Sequence, residues 1–386
     1  MTLSHRLTRR SLIAAGLTCA FRPLAGAERT ADGFRIPQAG GELAFPAVHG
    51  SHPDHRIEWW YLTGHLFAGG RRFGMQAIFF RLAQRPVLDD ANAAFGDSQL
   101  YLAHFAVTDV AGGRFLHEER LNRQGWDAGA RVGDLELWNG NWSLKRLSGL
   151  GSLEDHGSMR LMGGVRSEAA VDLVLETAKP AVRFGRDGVS RKGDEPAAVS
   201  LYVTFPRLKA RGLLRIDGRD LEVTGSLWMD HEVSSSQLGR EQVGWDWVSV
   251  QFDDGRELMA YVLRKPDGSP DQHSTLAWIE TDGRVAHRYA GEFEWEPGGI
   301  WESPETGGRY PIRPRFGSID PTSGKERRFS LRPVMEAQEM TGGLGGVAYW
   351  EGACDVLDEA GGEVGRAYLE LTGYTGDDLQ KRLRGD

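Results

Sequence analysis

The sequence predicts an all-β protein of many short antiparallel strands, built as two similar domains in tandem. Three observations carry this prediction: short alternating apolar runs, glycine-rich turns between them, and an aromatic hairpin that occurs twice. Residues 101–108, 171–177, 201–205, 221–225 and 368–374 each alternate apolar and polar side chains, the period of a half-buried strand. Between such runs lie Ala68-Gly69-Gly70, Ala111-Gly112-Gly113, Ile216-Asp217-Gly218, Asp253-Asp254-Gly255, Pro266-Asp267-Gly268 and Asp282-Gly283, all turn formers. The 51 glycines in 386 residues are close to twice the usual share of about 7%. Helical periodicity is confined to a short tail at residues 377–384. Strands of this kind close as a sandwich or as an up-and-down barrel, and the pattern alone does not choose between them.

The repeat divides the chain. Glu58-Trp59-Trp60-Tyr61-Leu62-Thr63-Gly64-His65-Leu66 passes through a glycine turn into an apolar strand ending at Arg81. Gly244-Trp245-Asp246-Trp247 and the strand to Phe252 pass through Asp253-Asp254-Gly255 into an apolar strand ending at Arg264. Two copies of one hairpin in a chain of this length imply tandem domains, over residues 40–233 and 240–386. The loops at 185–196 and 298–314 read as polar insertions.

Composition removes several classes. With 40% hydrophobic and 26% charged residues the chain is neither disordered nor a coiled coil. Lys and Arg number 46 against 54 Asp and Glu, a net charge of −8, so a broad nucleic-acid footprint is not expected. Thr8-Arg9-Arg10-Ser11-Leu12-Ile13, a short apolar stretch and Ala25-Gly26-Ala27 read as a twin-arginine signal peptide over residues 1–27. Export by the twin-arginine machinery through residues 1–27, followed by their removal, leaves 42 basic against 54 acidic residues, or −12, in a periplasmic or secreted protein. No later run is long enough for a transmembrane span. Cys19 leaves with the leader, and Cys354 then has no intrachain partner for a disulfide.

Three clusters could carry chemistry. On a strand, Trp59, Tyr61, Thr63 and His65 share one face and Glu58, Trp60 and Leu62 the other. Glu58 among large aromatics is expected to be desolvated and protonated. In Ser226-Leu227-Trp228-Met229-Asp230-His231-Glu232, alternation puts Trp228, Asp230 and Glu232 on one face and His231 on the opposite one. In the third cluster Trp245, Trp247, Ser249 and Gln251 form one wall, suited to a flat or long apolar ligand. His49, His52 and His55 lack a zinc spacing and are expected in a surface loop, with no metal bound. GxSxG, HExxH, Walker A and Rossmann fingerprints are absent from the sequence.

Taken together, His52-Pro53 leading into the Glu58–Leu66 string, the 101–109 strand with His104, Trp228-Met229-Asp230-His231-Glu232, Gly244-Trp245-Asp246-Trp247, Tyr349-Trp350-Glu351-Gly352 and the 368–374 string resemble one family. It is the carotenoid 1,2-hydratase (hydroxyneurosporene synthase) and AttH-like secreted lipocalin-fold family, and the resemblance runs from about residue 45 to about 375. It implies two calycin-like β-barrels in tandem, and an activity that adds water to isoprenoid double bonds or cyclises hydrophobic molecules. A twin-arginine leader departs from pigment-forming hydratases, so the pocket carries over better than a carotenoid substrate.

The hydratase expectation has definite parts. Asp230 is the proton donor, His231 or Glu58 directs water, and Trp60, Trp228, Trp245 and Trp247 line the cation site, with no metal or organic cofactor. Aromatic faces stabilise a carbocation by roughly 1–2 kcal/mol each when dry. Trp59, Tyr61, His65 and His104 complete the expected ligand-binding set. The competing expectation is a carrier that holds a hydrophobic small molecule without reaction. A structural or interaction module is a third, weaker expectation, because the polar groups cluster among the tryptophans. Convergence of Asp230, Glu58 and His231 on one apolar pocket favours the enzyme, and their scatter over different faces favours the carrier or the structural reading.

Overall fold

A computed structural model describes residues 28–38, 44–86, 99–186, 188–344 and 347–376. The expected leader at 1–27 and the tail at 377–384 lie outside the described residues.

The first sheet has thirteen strands. They are β1 (Ile57–Ala68), β2 (Arg71–Ala83), β3 (Gln99–Asp109), β4 (Arg114–Arg123), β5 (Ala128–Ala130), β6 (Glu136–Asn139) and β7 (Trp142–Ser148), followed by β8 (Ser158–Val165), β9 (Ala169–Thr177), β10 (Val182–Arg183), β11 (Val189–Arg191), β12 (Val199–Ile216) and β13 (Arg219–Ser234). Their spatial order is β4-β3-β2-β1-β13-β12-β9-β8-β7-β6-β5, with β10 and β11 on β12. The sheet curls until β3 and β4 approach β8, β6 and β5, so it is a nearly closed barrel.

Ten strands form the second sheet. These are β14 (Gly244–Phe252), β15 (Glu257–Arg264), β16 (Thr275–Ile279), β17 (Val285–Tyr289) and β18 (Phe293–Glu296), then β21 (Arg315–Ile319), β22 (Glu326–Pro333), β23 (Glu339–Met340), β24 (Tyr349–Asp358) and β25 (Glu363–Thr372), with a separate hairpin of β19 (Ile300–Glu302) and β20 (Arg309–Pro311). Its order is β17-β16-β15-β14-β25-β24-β22-β21-β18. In both sheets the first strand lies between its hairpin partner and the last strand: β1 between β2 and β13, β14 between β15 and β25. The aromatic hairpins read as a sequence repeat therefore occupy the same place in two like barrels.

Three apolar clusters fill the molecule. One occupies the first barrel, with Trp60, Phe105, Trp142 and Met229, and a second the other barrel, with Trp278, Phe316 and Trp350. The third joins the barrels through Tyr61, Tyr202, Trp228, Trp247, Tyr261 and Tyr349. Strand β13 shows the consequence: residues 219–226 are largely half-buried or exposed, while every residue from Leu227 to Ser234 is buried. Its second half has one barrel's core on one face and the other barrel on the opposite face.

The histidine segment departs from the surface loop expected. His49 and His55 are buried and His52 is partly so, because the segment folds back onto β1 to complete the surroundings of Glu58.

Candidate functional site

Strand β1 presents two chemistries because its side chains alternate. Trp59 and Tyr61 point between the barrels, while Glu58, Trp60 and Leu62 point into the first barrel. Strand β14 repeats the division, with Trp245 and Trp247 toward the gap and Asp246, Val248 and Val250 inward. A cavity of about 160 Å³ lies in that gap. Trp59, Phe80, His104, Tyr202, Asp230 and Glu232 from the first barrel and Trp245, Trp247, Tyr261, Tyr349 and Glu370 from the second are among its walls. Its size matches a single ring or one prenyl unit, since a cavity of about 150 Å³ accommodates benzene.

Three acids line this apolar space, Asp230 and Glu232 from the first barrel and Glu370 from the second; Glu232 is paired with Lys192, and the other two are not. Asp230 on β13 is buried, and burial pushes its carboxyl up to about 7 against the hydrogen bonds that oppose the shift. Its Oδ1 accepts from Thr204 Oγ1 at 2.5 Å and Trp228 Nε1 at 2.8 Å, and its Oδ2 accepts from the Tyr202 hydroxyl at 2.8 Å. Glu370 on β25 is also raised by burial to about 7. Trp245 Nε1 and Thr372 Oγ1 both donate to its Oε1, at 2.8 and 2.9 Å. Among the described residues Oε2 has no hydrogen bond. Half of this carboxyl is anchored and the other half is free to act.

Behind these walls lie further polar groups. Glu351, fully buried, is held well above the usual carboxylate range by burial and by the nearby Glu370. It accepts from the Tyr61 hydroxyl and, at 2.5 Å, from Gln76 Nε2. Lys192 pairs with Glu232 at 3.0 Å and lies 3.7 Å above the Tyr261 ring; burial lowers its pKa.

Glu58 differs from the expectation of a protonated acid. Its pKa is well below the ordinary value. Burial pushes it upward, but the charge of His52, hydrogen bonds from His231 and His52, and Arg81 outweigh that. Oε1 lies 2.8 Å from His52 Nδ1 and 2.9 Å from His231 Nε2. Oε2 accepts from Arg81 Nε at 3.0 Å, the His52 backbone N–H at 2.9 Å and Ser51 Oγ at 3.3 Å. The ligand atoms of His52, Glu58 and His231 fall within 4.8 Å of one another, close enough for one metal ion. With five polar contacts on its two oxygens and the buried Arg81 guanidinium against it, Glu58 is satisfied without one.

The expected catalytic trio therefore does not converge. Asp230 faces the cavity; Glu58 and His231, on the opposite faces of β1 and β13, belong to the first barrel. His231 stacks on Trp60 at 4.7 Å, which removes Trp60 from the cavity as well. Trp59, Tyr61, His104, Trp245 and Trp247 line the cavity, and Trp228 stands just behind, bonded to Asp230 and edge-on to Trp247. His65 instead bridges the barrels below it, its Nε2 3.1 Å from the Ala367 carbonyl oxygen. Sequence reasoning missed Glu370 and Glu351. Glu370 sits in a string already noted as a strand and Glu351 in one noted only for the family resemblance; alternation puts Glu370 on one face with Tyr368 and Thr372, a signal that was there to be read.

Comparison with known proteins agrees with this architecture. A crystal structure assigned as AttH from Nitrosomonas europaea superposes with a TM-score of 0.75 at 32% identity, covering 87% of this chain and 98% of that one. Kievitone hydratase from Nectria haematococca shares the fold at a TM-score of 0.61 and 15% identity, covering 89% of this chain and 98% of the other. Among curated proteins, the ceramide-binding protein svf1 of Schizosaccharomyces pombe is 24% identical over 117 residues, a stretch spanning 30% of this chain and 31% of that protein. The AttH-like profile matches residues 36–374, so with the double barrel and its inter-barrel cavity in place, the chain belongs to the AttH-like family.

Proposed function

We propose that this protein binds a hydrophobic, isoprenoid-like small molecule between its barrels and hydrates or cyclises a carbon–carbon double bond by acid catalysis. The observation that carries the reading is the pair of carboxyls, Asp230 and Glu370, raised to about 7 in one apolar cavity. Burying a carboxyl in such a wall costs free energy that simple apolar binding does not repay, whereas protonating an unactivated alkene requires an uncharged acid. The fold shared with kievitone hydratase is in keeping with this chemistry.

The sequence expectation made Asp230 the donor. The geometry favours Glu370 for that step, because its Oε2 is uncommitted, and Asp230 for the base, because three donors stabilise its anion. The Glu370 proton adds to the alkene carbon that leaves the more substituted cation, which the indoles of Trp245 and Trp247 face. Water attacks the cation, and its proton passes to the Asp230 carboxylate; re-equilibration with solvent returns the proton to Glu370. In a cyclisation a second double bond of the ligand takes the place of water. No group beyond these residues is invoked. Export through the twin-arginine route places the activity in the periplasm or outside the cell.

The test has two stages. Native mass spectrometry of the protein from its own cell envelope identifies the co-purified ligand, and incubation in heavy-oxygen water follows incorporation into product. Asp230→Asn and Glu370→Gln are each expected to abolish turnover and leave binding intact. Unchanged turnover in either variant ends this reading. A carrier is the second reading, favoured by the separation of Glu58 and His231 from Asp230 and by the partial likeness to a ceramide-binding protein. It is the outcome if the wild-type protein returns every bound ligand unaltered.

A further inference from the structure

Glu351 on β24 stands directly opposite Glu370 on β25 in the antiparallel register. Residues so placed project from the same face of a sheet, with Cβ atoms about 4.5–5.5 Å apart. Glu351 is fully buried, whereas Glu370 keeps some accessible surface and lines the cavity. On its other side Glu370 is opposite Trp247 of β14, which brings no charge. The tyrosines around the pair, Tyr61 on β1, Tyr261 on β15, Tyr349 on β24 and Tyr368 on β25, are all held above their ordinary pKa by burial, so none titrates near neutrality. His104 on β3 is neutral there, because burial lowers it to about 4. Glu232 on β13 is paired with Lys192 at 3.0 Å, and Asp246, on the inward face of β14, with Arg264 at 2.9 Å. Asp230 belongs to the first barrel's wall. Glu351 and Glu370 are thus left opposite each other, with no ion pair to either among the described residues.

Two facing acids without a cation lose their protons in two steps that belong to the pair, because the first anion opposes the second. Burial holds both carboxyls up, so at neutral pH the pair keeps a proton. The hydrogen bonds decide which member carries it. Glu351 accepts at both oxygens, at Oε1 from the Tyr61 hydroxyl and at Oε2 from Gln76 Nε2 at 2.5 Å. Gln76 gives its other amide hydrogen to the Tyr349 hydroxyl oxygen at 2.9 Å, which leaves only its carbonyl oxygen unpartnered. Turning that amide to accept a proton from Glu351 would strand two N–H groups in place of one acceptor, and a proton on Oε1 would strand the Tyr61 hydrogen. Glu370 takes a proton without displacing a donor, since Trp245 and Thr372 both donate to Oε1 and Oε2 has no hydrogen bond.

We propose that Glu351 is a positioning residue for the proton donor: its carboxylate, opposite Glu370 across β24 and β25, confines the pair's last proton to Glu370 on the cavity wall. The inference rests on the reading that Glu370 protonates the ligand, and it supplies what that step needs, an acid still uncharged at neutral pH. Glu351 does not touch the ligand. It acts through its charge, which Tyr61 and Gln76 hold in place, so a residue of the same charge replaces it and one of the same shape alone does not.

Carbon-13 NMR of the whole protein, labelled at the glutamate side-chain carboxyls, makes the test without a substrate. The two resonances are those missing from Glu351→Asp and Glu370→Gln. In the wild type the Glu351 resonance is expected to titrate at lower pH than that of Glu370. Glu351→Gln is expected to lower the Glu370 midpoint by about one to two pH units, the size of a like-charge effect at this spacing. Glu351→Asp, which keeps the charge, is expected to hold that midpoint near the wild-type value. Glu370→Gln is expected to leave the Glu351 midpoint nearly unmoved, because Glu351 ionises while its neighbour is still neutral. A Glu351 resonance that titrates after Glu370, or a Glu370 midpoint unmoved in Glu351→Gln, overturns the proposal. The expected asymmetry without turnover of any ligand would end the hydration reading and leave the control of Glu370 by Glu351 standing.

Discussion

At the scale of single residues, the same side-chain type is tuned in opposite directions by what surrounds it. Glu58 is ionised because Arg81, His52 and His231 converge on it; Asp230 and Glu370 hold their protons to about pH 7 because burial disfavours their charged forms more than their hydrogen bonds favour them. Two groups that titrate together and act as donor and base give a rate that requires one proton on the pair. Turnover is therefore expected to follow a bell centred near pH 7, and a rate flat from pH 5 to 9 would contradict the assignment. Glu370 also has a stability signature. Above its ordinary value of 4.5 the unfolded chain has lost this proton while the folded one keeps it to about 7, so folding weakens across that window and then levels off. Glu370→Gln removes the penalty. Its stability relative to wild type is expected to be unchanged at pH 4 and to exceed it by roughly 3 kcal/mol at pH 8, measured by urea unfolding.

At the scale of elements, the hairpins β1–β2 and β14–β15 each carry a buried acid and a buried arginine on the barrel side. Glu58 meets Arg81 at 3.0 Å and Asp246 meets Arg264 at 2.9 Å. Removing one partner of such a pair leaves an uncompensated charge, at a cost of about 3–5 kcal/mol. Glu58→Gln is expected to lower the urea midpoint of the first barrel accordingly, and Glu58→Gln combined with Arg81→Met to recover most of the loss. If the single and double variants unfold alike, the pair is not what holds this end of the barrel. Close pairing of β1 with β13 depends on Gly64, where a Cβ would fall 2.2 Å from the Ser226 carbonyl oxygen. The faces of these strands were legible in the sequence, because alternation is a local property of the backbone. The partners of Glu58 were not: Arg81 and His231 are 23 and 173 positions away, and no local pattern ties them together.

At the scale of the molecule, the cavity exists because two barrels share an apolar face. Ala353 on β24 is fully buried in that face, and a Cβ built on Gly74 of β2 would lie 2.9 Å from its own. Ala353→Arg puts a charge into a contact with no room and no partner for it. Binding of a single-ring apolar probe, followed by tryptophan fluorescence, is expected to be lost while far-ultraviolet circular dichroism still reports folded β-sheet; retained binding would mean that the cavity does not need the packed interface.

Alternating runs, turn glycines and the doubled aromatic hairpin were enough to read the β class, the repeat and which residues of β1, β13 and β14 share a face, since each depends only on neighbours along one strand; which face met the cavity was not among them, and residues of both faces of β1 and β13 were expected there. Whether the strands closed into barrels, which faces of those barrels met, and which acids kept their protons depended on contacts between residues far apart in the chain. Asp230 and Glu370 lie on different sheets and reach one cavity only when the sheets pack. Their proton affinity is a property of the dry space enclosed there, which no stretch of sequence contains.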